Sequence, residues 1–374
     1  MIFKVSSAAL YSRLVAASKV MSSKNAMAIL DCFLFEVKDN QVTITASDSE
    51  KYFTAKVPLI EQSEEARFCI PAKTIMDSIK ELAEQPITIE FSPETLNIKG
   101  YHSSGTFGVM AQDAAPYPVP RAVREDCTTI NLPSEILLNG ISRCLFATAN
   151  DEVRLVMTGI YVDIKRESLT FAGTDGRKLV RNTFKSIKND IETGFILPKK
   201  VAAVLKAILG KDTGNIEIKF DTEKACITAE GTVMHFSLIE GRYPNYNAVI
   251  PMDNPFKAVI DRQALASALK RVSVFCNQSS GLVKLELSQN TLKLTGQDFE
   301  YATNAEEFLN CEYNDAAIHI GFSSQLLLEI MNILDSESVV IELADPSRPG
   351  VIKPVANNGE EDLIMLLMPM RVED

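Results

Sequence analysis

The sequence predicts an α+β protein made of three tandem copies of one domain, each with two helices packed on antiparallel sheets. A recurring helix and a recurring strand pair predict it. The helix is written three times, as IPAKTIMDSIKEL (70–82), ILPKKVAAVLKAI (196–208) and GFSSQLLLEIMNIL (321–334). Each copy stands before a strand-like run: PITIEF, NIEIKF or SVVIEL. The period is about 125 residues, a domain length and far beyond the roughly 20–50 residues of a stacked repeat unit.

The strand pairs are CFLFEVKDNQVTITASD, GIYVDIKRESLTFAGTD and LVKLELSQNTLKLTGQD, each two alternating runs about a polar turn that close on Asp48, Asp175 and Asp298. An earlier helix opens each copy: SSAALYSRLVAASKVM (6–21), PSEILLNGISRCLFAT (133–148) and DRQALASALKRVSVFC (261–276). Leu10, Leu137 and Leu265 correspond in these helices, as do Leu14, Ile141 and Leu269. The i, i+4 spacing puts each pair on one buried face. Within a copy the order helix, strands, helix, strands repeats more faintly. Proline-bearing connectors, APYPVPRAVRED (115–126) and YPNYNAVIPMDNP (243–255), separate the copies. They place the domains at 1–122, 128–250 and 251–374.

The 374 residues are 46% hydrophobic and 23% charged, the balance of an ordinary globular protein. No apolar run has the length of a membrane span, and MIFKVSSAALYSRL lacks the charged start and apolar core of a secretory leader. Cys32, Cys69, Cys127, Cys144, Cys226, Cys276 and Cys311 stand singly, with no CxxC pair. They read as buried thiols in a reducing compartment, which points to the cytoplasm. The net charge of −11 opposes nucleic-acid binding unless the basic residues are gathered on one face.

Such a gathering is visible on the repeated helices. Lys73 and Lys80 are seven residues apart, about two helical turns, and so share a face. Lys199 and Lys206 keep that spacing, with Lys200 beside them, while the third copy has the uncharged Gln325 and Asn332. On the earlier helices Arg143 and Arg271 align. A solvated helix face is the plain reading of any one pair. Recurrence within an acidic chain favours one surface turned toward a shared polyanion such as nucleic-acid phosphate.

Catalytic patterns are missing. His102, His235 and His319 are far apart, and no GxSxG, GxGxxG or HExxH occurs. LGKDTGN (209–215) lacks the first glycine and the Ser/Thr of a phosphate loop and reads as a helix stop and turn. The repeated aspartates suit turn amides better than acid–base work. No metal, cofactor or catalytic residue is expected. A DNA-free scaffold, and a hydrolase using the repeated aspartates, stay open on the residues alone.

GTDGRKLV (173–180), EGRYPNYNAVIP (240–251) and LLMPMR (366–371), set in three tandem α+β domains, resemble the bacterial DNA polymerase III beta subunit family. The resemblance runs the length of the chain. It implies a DNA-clamp fold in which two subunits join head to tail into a closed ring around duplex DNA. It also implies no chemistry: a processivity factor for the replicative polymerase, opened and closed by a clamp loader. Lys24 matches a DNA-touching position. Phe107 and Val109 would meet Val274 and Phe275 of a second copy. A hydrophobic groove would capture short peptides from the polymerase, the loader and repair proteins. Its matching positions are Leu155, Met157, Thr174, Gly176, Arg177, Leu179, Pro244, Val249, Leu366, Met368, Pro369, Met370 and Arg371. This chain departs from the family pattern with Val156 and Leu326 in place of tyrosines, Arg177-Lys178 in place of His-Arg, and a tail that continues as VED. The loop 345–362, rich in glycine and proline, is expected to be mobile.

Overall fold

The computed structural model describes residues 1–210, 214–356 and 359–372. The turn expected in LGKDTGN (at 211–213), positions 357–358 of the loop 345–362, and the two terminal acids lie outside the described residues.

The first third of the chain runs β1 (Ile2–Ser6), α1 (Ser7–Ser18), β2 (Cys32–Lys38), β3 (Gln41–Ser47), β4 (Lys51–Pro58), β5 (Glu61–Gln62), β6 (Ala66–Pro71), α2 (Ala72–Ile79), β7 (Pro86–Ser92), β8 (Asn97–His102) and β9 (Gly105–Met110). The second runs β10 (Thr128–Pro133), α3 (Ser134–Cys144), β11 (Gly159–Lys165), β12 (Ser168–Thr174), β13 (Lys178–Phe184), β14 (Thr193–Pro198), α4 (Lys199–Ile208), β15 (Asn215–Phe220), β16 (Lys224–Ala229) and β17 (Thr232–Ser237). The third runs β18 (Phe256–Asp261), α5 (Arg262–Ser273), β19 (Leu282–Ser288), β20 (Thr291–Asp298), β21 (Thr303–Glu312), β22 (Ile318–Ser323), α6 (Ser324–Ile333), β23 (Ser338–Leu343), β24 (Gly350–Pro354) and β25 (Glu361–Leu367).

Each of these helices begins on the residue after a strand ends, and the boundary residue explains why. Ser6, Asp261 and Ser323 cap α1, α5 and α6, accepting from the amides of Ala9, Ala264 and Leu326. Prolines 71, 133 and 198 stand at the start of the other three, where their fixed φ and missing N–H cost nothing. The apolar pairs read from the sequence, Leu10 and Leu14, Leu137 and Ile141, Leu265 and Leu269, are all buried.

The chain divides into two compact units, residues 1–138 with 200–238 and residues 139–199 with 239–374. The division runs through the second copy because strands pair across the copies. In the first unit one sheet has the order β6-β2-β3-β4-β17-β16-β15-β10, and a smaller one β5-β1-β7-β8-β9. In the second unit a sheet begins β14-β11-β12-β13-β25-β24-β23-β18. The two eight-strand arrays are the same array, strand for strand. The second continues into β21-β20-β19-β22, joined to β18 through only two residue pairs, Val259 with Glu312 and Ile260 with Cys311.

The three repeated aspartates are turn builders. Asp48 Oδ1 accepts the amides of Glu50 and Lys51, Asp175 those of Arg177 and Lys178, and Asp298 those of Glu300 and Tyr301. No disulfide joins the cysteines. Burial pushes the Cys32 thiol up to about 11 and Cys69 up to about 12, so neither supplies a thiolate near neutral pH.

Gly140 of α3 shows how closely helix meets sheet. A Cβ there would stand 2.3 Å from the ring of buried Phe171. Glycine to alanine in a helix ordinarily stabilises by about 1 kcal/mol. Here the overpacking outweighs that gain, so Gly140→Ala is expected to destabilise by about 1–2 kcal/mol, read as a lower urea midpoint at unchanged slope.

Candidate ligand groove and basic helix faces

In the second unit three pieces of chain converge on one cleft. The first is the β12–β13 turn, where Gly176 takes a φ of +85° that a side chain would strain. Thr174 Oγ1 closes this turn, donating to Lys178 O at 2.7 Å and accepting from Gly176 N at 3.1 Å. Arg154 donates to Asp175 O at 2.7 Å and pairs with Asp151 at 2.9 Å, which pins the short 3-10 segment Glu152–Thr158 against the turn.

The second piece is the connector after β17. Tyr243 donates to Ala172 O at 3.4 Å and stacks on Tyr161 at 5.0 Å, while Tyr246 donates to Asp163 at 2.7 Å. These anchors fix Pro244 and Val249. The third is the chain end, where β25 pairs with β13 so that Leu366 lies opposite Leu179. Beyond it Met368 N donates to Arg177 O at 2.8 Å and Met370 N to Gly321 O at 2.7 Å.

The result is a cleft of about 170 Å³ floored by Leu179 and Leu366. Of the expected positions, Met157, Thr174, Gly176, Arg177, Leu179, Pro244, Val249, Leu366 and Met368 line it. Leu155 stands outside the lining, 54% exposed, and Pro369, Met370 and Arg371 belong to the tail strap over β22. Lys178, Asn245, Tyr246 and Pro349 also line the cleft and were missed. For Lys178, Asn245 and Tyr246 the signal was present, since all three lie inside the quoted motifs. Pro349 lies in a loop whose course the sequence does not fix. Val156, at an expected tyrosine position, packs on the cluster of Ala172, Tyr243 and Leu366 beside the cleft.

The basic positions divide. Lys24, Lys73, Lys80, Lys200 and Lys206 are exposed, with Lys73 and Lys80 on one side of α2 and Asp77 between them. Arg271 is exposed but holds Glu307 with two nitrogens at 2.5 and 2.6 Å. Two others are held by the protein itself. Arg143 is not a free cation: it is 12% exposed, pairs with Asp335 at 2.8 Å and caps the Ile333 carbonyl at the end of α6. Lys199 folds back onto Asn150 Oδ1 at 2.7 Å, and burial, with the like charge of Lys178, holds its pKa below the usual lysine value. Helical spacing shows which face a residue occupies but not what stands opposite.

Val274 and Phe275, just after α5, are 77% and 39% exposed. Phe107 is half-buried over Gly100 on β9. Val109 is only 5% exposed, because strand alternation turns 107 and 109 toward their own domain's core. Among the described residues no three His, Cys, Asp or Glu side chains converge as metal ligands, and no helix is long and apolar enough to cross a membrane.

Fold and cleft together define a domain-repeat α+β protein with a built apolar groove. Family models of the DNA polymerase III beta subunit match it end to end: the N-terminal domain at residues 1–120, the central domain at 131–245 and the C-terminal domain at 247–371. The chain belongs to the DNA polymerase III beta subunit family. It is 26% identical to the beta sliding clamp of Pseudomonas putida over 374 residues, covering 99% of this chain and 100% of that one. It is 27% identical to the beta sliding clamp of Haemophilus influenzae over 355 residues, covering 94% and 95%. Among solved structures, the DNA polymerase III beta subunits of Pseudomonas aeruginosa and Thermotoga maritima share the fold, with TM-scores of 0.93 and 0.90 at 24% identity and full coverage of both chains. A Pseudomonas aeruginosa sliding clamp bound to griselimycin matches at a TM-score of 0.93, also at 24% identity with both chains fully covered.

Proposed function

We propose that this chain is a DNA sliding clamp: a head-to-tail homodimer that encircles duplex DNA and keeps the replicative polymerase on its template. It performs no chemistry. Membership of the beta subunit family supports the function, and one observation supports the ring. The array β2-β3-β4-β17-β16-β15 and its counterpart β11-β12-β13-β25-β24-β23 each join two copies through a central strand pair. Two half-arrays are left over, β22-β19-β20-β21 and β1-β7-β8-β9. The outer edge of β21 from Thr303 to Asn310 and the outer edge of β9 carry no strand among the described residues. By the repeat, β21 takes the place of β4 and β13, and β9 that of β17 and β25. A second chain completes the missing junction at both ends, and the heterologous contact closes. Exposed Val274 and Phe275 supply apolar surface beside that junction. Free edges of this kind invite pairing unless covered.

In this reading the clamp domains fall at 1–122, 128–250 and 251–374, each with two helices. Lys24, Lys73, Lys80, Lys200, Lys206 and Arg271 face DNA, with Lys199 and Arg143 contributing field and not direct contacts. The groove takes short peptides of the polymerase, the clamp loader and repair proteins, in the cytoplasm. Sedimentation of the purified protein tests the assembly. The expected mass is twice the 41.2 kDa of one chain, and a stable single-chain or three-chain species would overturn it.

Neutralising Lys73, Lys80, Lys200 and Lys206 to Gln separates a clamp from a DNA-free scaffold. Each lost phosphate contact is expected to reduce the salt slope of binding to a short duplex by about 1. Retention on closed circular DNA changes far less, because linkage and not contact holds it. A scaffold would show no change in either measurement.

A further inference from the structure

The repeated array implies a second groove. The junction that frames the apolar cleft in the second unit has its counterpart wholly inside the first unit, and the counterpart is also open. Three correspondences fix the match. Tyr117 precedes Pro118 as Tyr243 precedes Pro244. Tyr117 donates its hydroxyl to Thr45 O at 3.3 Å, and Tyr243 donates to Ala172 O at 3.4 Å, which occupies the same position two residues before the strand end. Tyr52 lies opposite His235 in the β4–β17 pair as Leu179 lies opposite Leu366 in the β13–β25 pair.

The cavity framed there is about 430 Å³, larger than its counterpart, and its lining differs in kind. Tyr52 and His235 replace the two leucines of the floor, and Ser237 replaces Met368. Pro118 and the 72% exposed Val119 keep an apolar wall. Arg121 and Lys224 bring positive charge, and neither makes an ion pair among the described residues. Glu50 is the one acid in the lining. Three flanking acids are engaged. Asp48 pairs with Lys51, Glu223 pairs with Arg124, and Asp221 accepts the amides of Arg124, Glu223 and Lys224. His235 Nδ1 is buried with no hydrogen-bond partner, while its Nε2 stands 3.8 Å from Cys226 Sγ.

We propose that this cavity is a second docking site, for an extended partner peptide that carries acidic side chains beside an apolar one. The apolar residue seats between Tyr52, Pro118 and Val119, and the carboxylates meet Arg121 and Lys224. The inference rests on the peptide reading of the apolar groove and extends it to its counterpart, which is wider and floored by Tyr52 and His235 in place of two leucines. On a chain of net charge −11, two unpaired cations at a built concavity select an acidic ligand against the general field. The site would let one clamp hold two partners of different chemistry at once.

The test uses the intact protein and fluorescein-labelled Glu-Glu-Val-Tyr-Glu-Glu, followed by fluorescence anisotropy. Expected is saturable binding that weakens about tenfold or more in Arg121→Glu/Lys224→Glu, a loss of charge-assisted contacts worth a factor of that size. Lys-Lys-Val-Tyr-Lys-Lys should not bind the cavity, and Glu-Glu-Gly-Gly-Glu-Glu should bind about tenfold more weakly. Hydrogen exchange should slow at 117–121 and 235–238 with the acidic peptide. Equal binding to native and doubly substituted protein, or protection confined to 366–370, overturns the proposal. Full displacement by a short single-stranded oligonucleotide, with no preference for the Val-Tyr anchor, also overturns it in favour of a phosphate site. Circular-DNA retention, read on the same preparations, keeps a failure here distinct from a failure of the clamp reading.

Discussion

Cutting a nicked DNA circle once, after the clamp loader has placed the protein on it, is expected to release nearly all of the bound protein. The alternative is retention by contact, and the charges argue against it. The chain carries −11 overall, and three of the eight basic positions, Arg143, Lys199 and Arg271, are engaged by groups of the protein itself. An exposed lysine–phosphate pair contributes about 0–1 kcal/mol and is screened within about 8 Å at physiological salt. A few such pairs cannot hold a protein on DNA for long, and tight pairs would stop it sliding. Closure can do both. The protein should therefore stay on the uncut circle in salt that strips contact-bound proteins, and run off the cut one within the dead time of a gel-filtration column. Substituting exposed Val274 and Phe275 with Asp should produce a species of one-chain mass that is not retained on the circle either. Equal retention on cut and uncut DNA sinks encirclement.

What could be read from the sequence follows from the range of each interaction. The six helices, their starts and the aspartate turns are written in contiguous residues: an i, i+4 apolar pair, a capping serine or proline, a carboxylate two and three residues before the amides it accepts. The continuous arrays are not. β4 finds β17 some 180 residues along, and nothing in the alternation of KYFTAKVP names its partner edge. For the same reason the three copies are legible in the sequence, but not the strand pairing that shares the second copy between the two compact units. Strand alternation does bear on β9. Phe107 and Val109 lie on the same face, and with Gly100 beneath Phe107 that face is the inner one.

In the groove, the motifs located the turn, the connector and the tail, because those three stretches are sequence-distinct. What they left out was the bracing. Arg154 reaches the Asp175 carbonyl from a segment whose own conformation is set by Asp151, and the tail is held at two separate amides. A ligand cleft depends on such bracing to avoid collapsing onto its own apolar floor.

That bracing separates residues that shape the cleft from residues that touch a ligand, and it permits a clean test. Met368 and Val249 line the cleft with side chains 42% and 55% exposed, and Met368 is fixed through its backbone amide. Removing both side chains as Met368→Ala/Val249→Ala should cost the fold little, within the roughly ±0.5 kcal/mol of surface substitutions. Each buries about half its area again under an apolar peptide, a contribution of about 1 kcal/mol apiece at ~25 cal/mol per Å². A labelled peptide with adjacent leucine and phenylalanine anchors should then bind about 30-fold more weakly, with the sedimented mass and the melting temperature unchanged. Leu366→Ala is the contrasting case. Leu366 is 4% exposed and packed in the cluster with Leu179 and Tyr243, so its truncation should lower stability by about 2–4 kcal/mol along with affinity. If the double alanine variant binds the apolar peptide as well as native protein does, the cleft is a surface dimple and the partner site lies elsewhere.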